Sequence, residues 1–97
     1  MAAGAWIQRR SAGAPDPLRE RALAYVGEGD ESAESLGAAG LRALRATLNL
    51  GPDRRAALDL LAADALVTLA LLARAEANPA GLADLARSLR RDATTPL

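Results

Sequence analysis

The sequence predicts an all-α fold: a bundle of about four helices around one long central helix, spanning about residues 52–77, and paired as a dimer. Three observations carry that expectation. Alanine and leucine, both strong helix formers, dominate a chain that is 51% hydrophobic, while β-branched residues are scarce. Proline and glycine sit where they can open and close helices, and they divide the chain into helical lengths. The stretch ALDLLAADALVTLALLA, Ala57 to Ala73, is apolar on more sides than one neighbouring helix can cover.

Ninety-seven residues make one domain. A domain of this size buries only about 60 to 65% of the surface its unfolded chain exposes. With no Phe, one Trp and one Tyr, its core must be built from leucine, alanine and a little valine. The expected organisation is a flexible N-terminal segment at 1–14, a single helical domain at 15–92 and a frayed tail at 93–97. After Met1, Trp6 and Ile7 are the large apolar side chains of the first segment, so its order depends on whether they dock.

The first expected helix is PDPLRERALAYVG, with Asp16 as cap, Pro17 at the first helical position and Gly27 as terminator. Leu18, Ala22, Tyr25 and Val26 fall on one face of it. After the acidic turn GEGDES, Asp30 or Ser32 caps a second helix that runs to about Asn49, with Glu31 and Glu34 near its positive end. Its stripe is Ala33, Gly37, Gly40, Leu41, Leu44 and Leu48, opposite Arg42 and Arg45. Glycine inside a helix costs about 1 kcal/mol relative to alanine. Gly37 and Gly40 therefore point to a second backbone passing close by.

Gly51 closes that helix and Pro52 opens the long third one, with Asp53 in its first turn. At 100° per residue, Leu58, Leu61, Ala65, Leu66, Leu69 and Leu72 cover one arc of about 140°. Leu60, Val67 and Leu71 form a second apolar arc, with Asp64 beside it, and these four residues are the candidate interface. A third sector, with Asp59, Ala56, Ala63, Ala70 and Arg74, reads as a wetted strip or a close helix contact. Asn78 and Pro79 start the fourth helix, which buries Leu82, Leu85 and Leu89.

Burying both leucine arcs needs neighbours on two sides, and leaving the second one bare forgoes several kcal/mol. A homo-oligomer covers it, or a groove that docks a helix of another protein. A membrane span is not expected, because two aspartates interrupt the apolar run and its charge-free part, 65–73, falls far short of about twenty residues.

Little in the sequence supports chemistry. Histidine and cysteine are absent, which removes the commonest general base, thiolate chemistry and most metal ligation. Asp59 and Asp64 point about 140° apart on one helix, so they do not converge as a catalytic pair. Acidic and basic residues balance at twelve each, every base is arginine, and aromatic partners for nucleobases are lacking, so nucleic acid is not an expected partner. The start of the chain does not read as a signal peptide, and the cytoplasm is the expected compartment. The reading is a non-enzymatic interaction or oligomerisation module with no cofactor.

Two segments resemble known families. ESLGAAGLRALRATL, 34–48, resembles the acyl carrier protein segment whose serine bears a phosphopantetheine arm, and NPAGLADLARSL resembles that family's last helix. The resemblance implies Ser35 as an attachment site and makes an acyl-carrier-like component the alternative function. It covers about a quarter of the chain, with Glu34 in place of the usual aspartate. ALLARAEANPAGLADLARSL is similar to the opening of a helix-turn-helix in winged-helix regulators, but RRDATTPL follows where that family has its recognition helix.

Overall fold

The computed structural model describes residues 3–94, which form five α-helices and no strand. They are α1 (Ala3–Arg10), α2 (Asp16–Val26), α3 (Ala33–Leu50), α4 (Arg54–Ala77) and α5 (Leu82–Thr94), with a 3₁₀ turn at Pro79–Gly81 before α5. The all-α bundle around one long helix is therefore the observed architecture. The last three residues of the expected frayed tail lie outside the described residues.

Local chemistry sets the helix boundaries, though not always through the residue first expected. Gly27 and Gly51 end α2 and α3 at φ of 57° and 69°, a region that glycine enters without strain. Ser32 caps α3 by accepting a hydrogen bond from the Ser35 N–H at 3.1 Å, and the Asp30 carboxylate accepts from the Ser32 N–H. Asp53, and not Pro52, is the boundary residue of α4; its side chain accepts from the Arg55 N–H at 2.8 Å. Asp16 does not cap α2. It is the first helical residue, and its carboxylate pairs with Arg19. Asn78 makes no side-chain cap bond either; its carbonyl accepts from the Gly81 N–H across the 3₁₀ turn.

α3 and α4 pack as an antiparallel hairpin and form the main contact of the molecule. The register is fixed by Gly40 of α3, which lies against Val67 and Ala63 of α4, and by Glu34, which pairs with Arg74. A Cβ at Gly40 would stand 3.3 Å from the Val67 backbone nitrogen and 3.4 Å from the Ala63 carbonyl oxygen. The glycine is there because main chain passes close by. Gly37 differs: what a Cβ there would meet first is the Leu89 side chain of α5, not main chain.

That close approach decides which residues turn inward. On α4 the buried side is Ala56, Asp59, Ala62, Ala63, Leu66, Leu69 and Ala70. The sector expected to be wetted or in close contact is the contact face, and the leucine arc is split. Leu66 and Leu69 are buried and Leu58 is half-buried, but Leu61 and Leu72 are exposed. On α3 the buried stripe is likewise rotated: Leu36, Ala39 and Ala43 join Gly37, Gly40 and Leu41, while Leu48 is 71% exposed. Small residues let the two helices approach, and larger side chains are displaced to the flanks.

α2 packs on α4 and α3 from one side and α5 from another, with Leu85 buried and Leu82 and Leu89 half-buried. In the described part of the first segment, the docking condition set by its two apolar side chains is met. α1 buries Trp6 and Ile7 in the same core as Val26, Leu36, Leu66 and Leu69. No periodicity announces this helix. What orders it is the loss of water around an indole and a butyl group.

A Gly40→Val change places a branched side chain against the α4 main chain, where no rotamer relieves the contact. A thermal melt should show a midpoint lower by at least roughly 10 °C, the response of a small domain to about 2 kcal/mol. An unchanged midpoint would mean that the hairpin does not need this approach.

Candidate functional site

Three features of the molecule are not explained by core packing alone: the outward face of α4, a buried carboxylate beneath it, and a groove beside Trp6. The outward face is the largest. Ala57, Leu60, Leu61, Asp64, Thr68 and Leu72 are all exposed along α4, with Leu71 and Ala75 half-buried at its margin. Leu60 is 50%, Leu61 54% and Leu72 37% exposed. Together they span an arc of about 120° on the helix. The Asp64 side chain has no hydrogen-bond or ion-pair partner among the described residues, and neither does that of Thr68.

The four candidate interface residues do not all belong to this face. Leu60 and Asp64 lie within it and Leu71 at its edge. Val67 is half-buried against Gly40 of the chain's own α3, so the intramolecular hairpin already uses it. Leu61 and Leu72, expected in the core, take its place on the outside. The signal that could have identified them was the pairing of two small-residue patterns: Gly37 and Gly40 on α3, and Ala56, Ala63 and Ala70 on α4.

Asp59 stands on the opposite side of α4 with no solvent exposure. Its carboxylate accepts two hydrogen bonds from Arg21 of α2, one from Nε and one from Nη2 at 3.2 Å. This forked pairing is the geometry a guanidinium offers a carboxylate. Arg21 also lies 5.5 Å from the Tyr25 ring centre. The hydrogen bond from Arg21 holds the Asp59 carboxyl below the ordinary carboxylate range against the opposing effect of burial. Burial, reinforced by the Asp59 charge, pushes the Tyr25 phenol up, so the phenol stays neutral beside the ion pair. With both its oxygens engaged and no path to solvent, Asp59 is a structural anchor and is not positioned to act on a substrate.

Other arginines tie the remaining elements together. Arg10 pairs with Glu76 at 2.5 Å and lies 5.6 Å from the Trp6 ring centre, which fixes α1 to the end of α4. Arg74 pairs with Glu34, and Arg42 Nη2 donates to the Tyr25 carbonyl at 2.7 Å. Glu34 is held below its ordinary range, first by its own backbone N–H at the start of α3 and then by Arg74.

The groove beside Trp6 has a volume of about 510 Å³ and is lined by Trp6, Asp30, Glu31, Ser32, Glu76 and two alanines. One oxygen of Glu31 is buried there without a hydrogen-bond partner. Its cation position over the indole is already taken by Arg10. Among the described residues no group of three ligating side chains could hold a metal ion. Ser35, the attachment site implied by the acyl carrier resemblance, is half-buried at the start of α3, and a Cβ on Gly29 would come 2.7 Å from its hydroxyl. No protein-family model, no curated protein and no solved structure matches the chain.

The Arg21–Asp59 pair yields two expectations. Arg21→Met should leave a buried carboxylate uncompensated and lower the melting midpoint by at least roughly 10 °C, while Arg21→Met with Asp59→Leu should recover most of it. Equal losses in the single and double variants would contradict the anchoring role. Acid dependence follows from the depressed carboxylates Asp59, Glu34 and Asp30. On acidification the unfolded chain takes up protons before the folded one does. The stability these groups confer is therefore full above about pH 4 and is lost as pH falls through their lower folded values. The urea midpoint followed by Trp6 fluorescence should be constant from pH 7 to 5 and drop below pH 4. A midpoint that stays level down to pH 3 would count against it.

Proposed function

We propose that this chain is a non-enzymatic helical assembly module that associates through the outward face of α4, with a second copy of itself as the partner. The observation that carries the reading is the inversion on α4: its alanine side is packed inward while Leu60, Leu61 and Leu72 face out. Fully burying a leucine is worth about 1.5 to 3 kcal/mol. Three side chains that are about half-exposed leave roughly 2 to 4 kcal/mol per chain unrealised until something covers them. Scattered surface leucines need no explanation, but Leu60, Leu61 and Leu72 share one helix face, with Leu71 at its edge and Asp64 and Thr68 between them, and such a cluster marks an interaction surface.

A lipid bilayer is the rival cover, since α4 is long and apolar enough by length and composition to cross one. Its own bonds argue for protein. A spanning α4 would carry Asp59 with Arg21, Arg74 with Glu34, and Asp64, which has no partner among the described residues, into hydrocarbon, each at a substantial cost. The acyl-carrier alternative rests on Ser35, whose hydroxyl is packed against the α2–α3 connection. No structural observation favours it over association, and intact mass of protein from its native host tests it directly through a phosphopantetheine addition at that serine.

Light scattering during size exclusion decides the main reading. The wild-type chain should shift from monomer to dimer mass as its concentration rises through the micromolar range. Leu60→Asp, a change at an exposed position, should keep the melting midpoint of the dilute protein and abolish the shift. A chain that stays monomeric at millimolar concentration would overturn the proposal.

A further inference from the structure

α5 stands apart from the core of the molecule. The connected core joins side chains of α1, α2, α3 and α4, from Trp6 and Val26 to Leu36 and Leu66, and the half-buried side chains packed against it come from α2 and α4. None belongs to α5. Of the 13 residues of α5 only Leu85 is buried, with Leu82 and Leu89 half-buried on the same stripe.

The seat of this helix is shallow. Leu89 enters the gap left by Gly37 on α3, where a Cβ would lie 2.7 Å from its nearest methyl. The exposed Arg87 pairs with Asp84 of its own helix. One buried and two half-buried leucines remove far less apolar surface from water than the seven residues that α4 buries, so α5 is held much more weakly than the hairpin.

The connection to α4 interrupts the helical hydrogen-bond ladder. Asn78 leaves the helix at φ −157° and ψ 81°, Pro79 has no N–H to donate, and Gly81 carries no side chain. The Gly81 N–H closes one short turn on the Asn78 carbonyl at 3.0 Å. A few residues at the end of an element are where hinges absorb changes of φ and ψ.

We propose that α5 is a hinged lid, which lifts as one unit about Pro79–Gly81 while α1 to α4 keep their common core. Opening uncovers the Gly37 side of α3. The lid is independent of association through α4. A detached α5 also loses its helix, because 13 residues without a packing surface are too few to stay helical in water. Its amides therefore become free together, at a smaller free energy than unfolding of the whole molecule. The chain thus shows or hides a small-residue seat without losing its fold.

Native-state hydrogen exchange of the full chain, read residue by residue by NMR, tests the lid. After correction for intrinsic rates, the amides from Ala86 to Arg91 should exchange at least tenfold faster than those from Leu66 to Ala70, and at rates similar to one another. Their exchange should rise less steeply with urea, since lifting the lid exposes less surface than unfolding does. Two variants separate the lid from a general weakness. Val26→Ala removes methyls from the core that the closed and open forms share, so it should speed exchange in α4 severalfold and leave α5 unchanged. Leu85→Ala weakens only the closed form and should speed exchange in both helices. If α5 exchanges less than tenfold faster than α4, or follows α4 in Val26→Ala, it opens only with the whole molecule and the lid is refuted. Rates that fall steadily from Arg91 to Ala86 would show fraying from the end and refute it as well. So would unaltered exchange of α5 in Leu85→Ala.

Discussion

Gly40 brings the main chain of α3 within van der Waals reach of α4, and that approach governs the rest of the molecule. Two helix backbones come this close only where side chains between them are small, so α4 must turn its alanines toward α3. Ala56, Ala63 and Ala70 lie buried on this side together with Asp59. Once the alanines face inward, helical geometry leaves a strip of leucines facing out. The bare apolar face is thus a consequence of how the hairpin closes, and it is present on each folded chain without any further rearrangement.

The buried carboxylate is part of the same constraint. A charge with no solvent exposure needs a partner that satisfies it fully, and Arg21 does so from α2 with two hydrogen bonds. Breaking the pair by losing one member is far worse than replacing both by apolar groups, so the contact specifies where α2 sits more than it adds net stability. Arg10, Arg42 and Arg74 act in the same manner on the other elements at partly exposed sites, where each pair is worth less. In a core with so few aromatic residues, directional bonds of this kind supply the positional definition that leucine and alanine packing leaves loose.

The existence and order of the four longer helices were legible from residues because their stop signals act locally: Gly27 and Gly51 need only their own φ values, and Ser32 needs only the N–H three residues on. The close approach at Gly40 was legible too, since an interior glycine in a helix calls for a neighbour. The inward side of α4 was not, because a helix with leucine on several sides gives no periodic preference among them. Its choice depends on α3, and leucine count favoured the wrong arc. That reading puts Leu61 and Leu72 in the core and Val67 on the candidate interface, whereas Leu61 and Leu72 are exposed and Val67 is half-buried against Gly40. α1 was missed as a helix for a related reason: Trp6 and Ile7 are ordered by tertiary burial, and eight residues carry no usable period.

The link between α3 and α4 is three residues long, Gly51 to Asp53, so the largest contact in the molecule joins segments adjacent along the chain. Closing it costs little loop entropy, and the hairpin can zip from the link outward. Chains whose dominant contacts are this local fold on fast timescales. The apolar strip is complete as soon as the hairpin forms, before α1, α2 and α5 need to have docked.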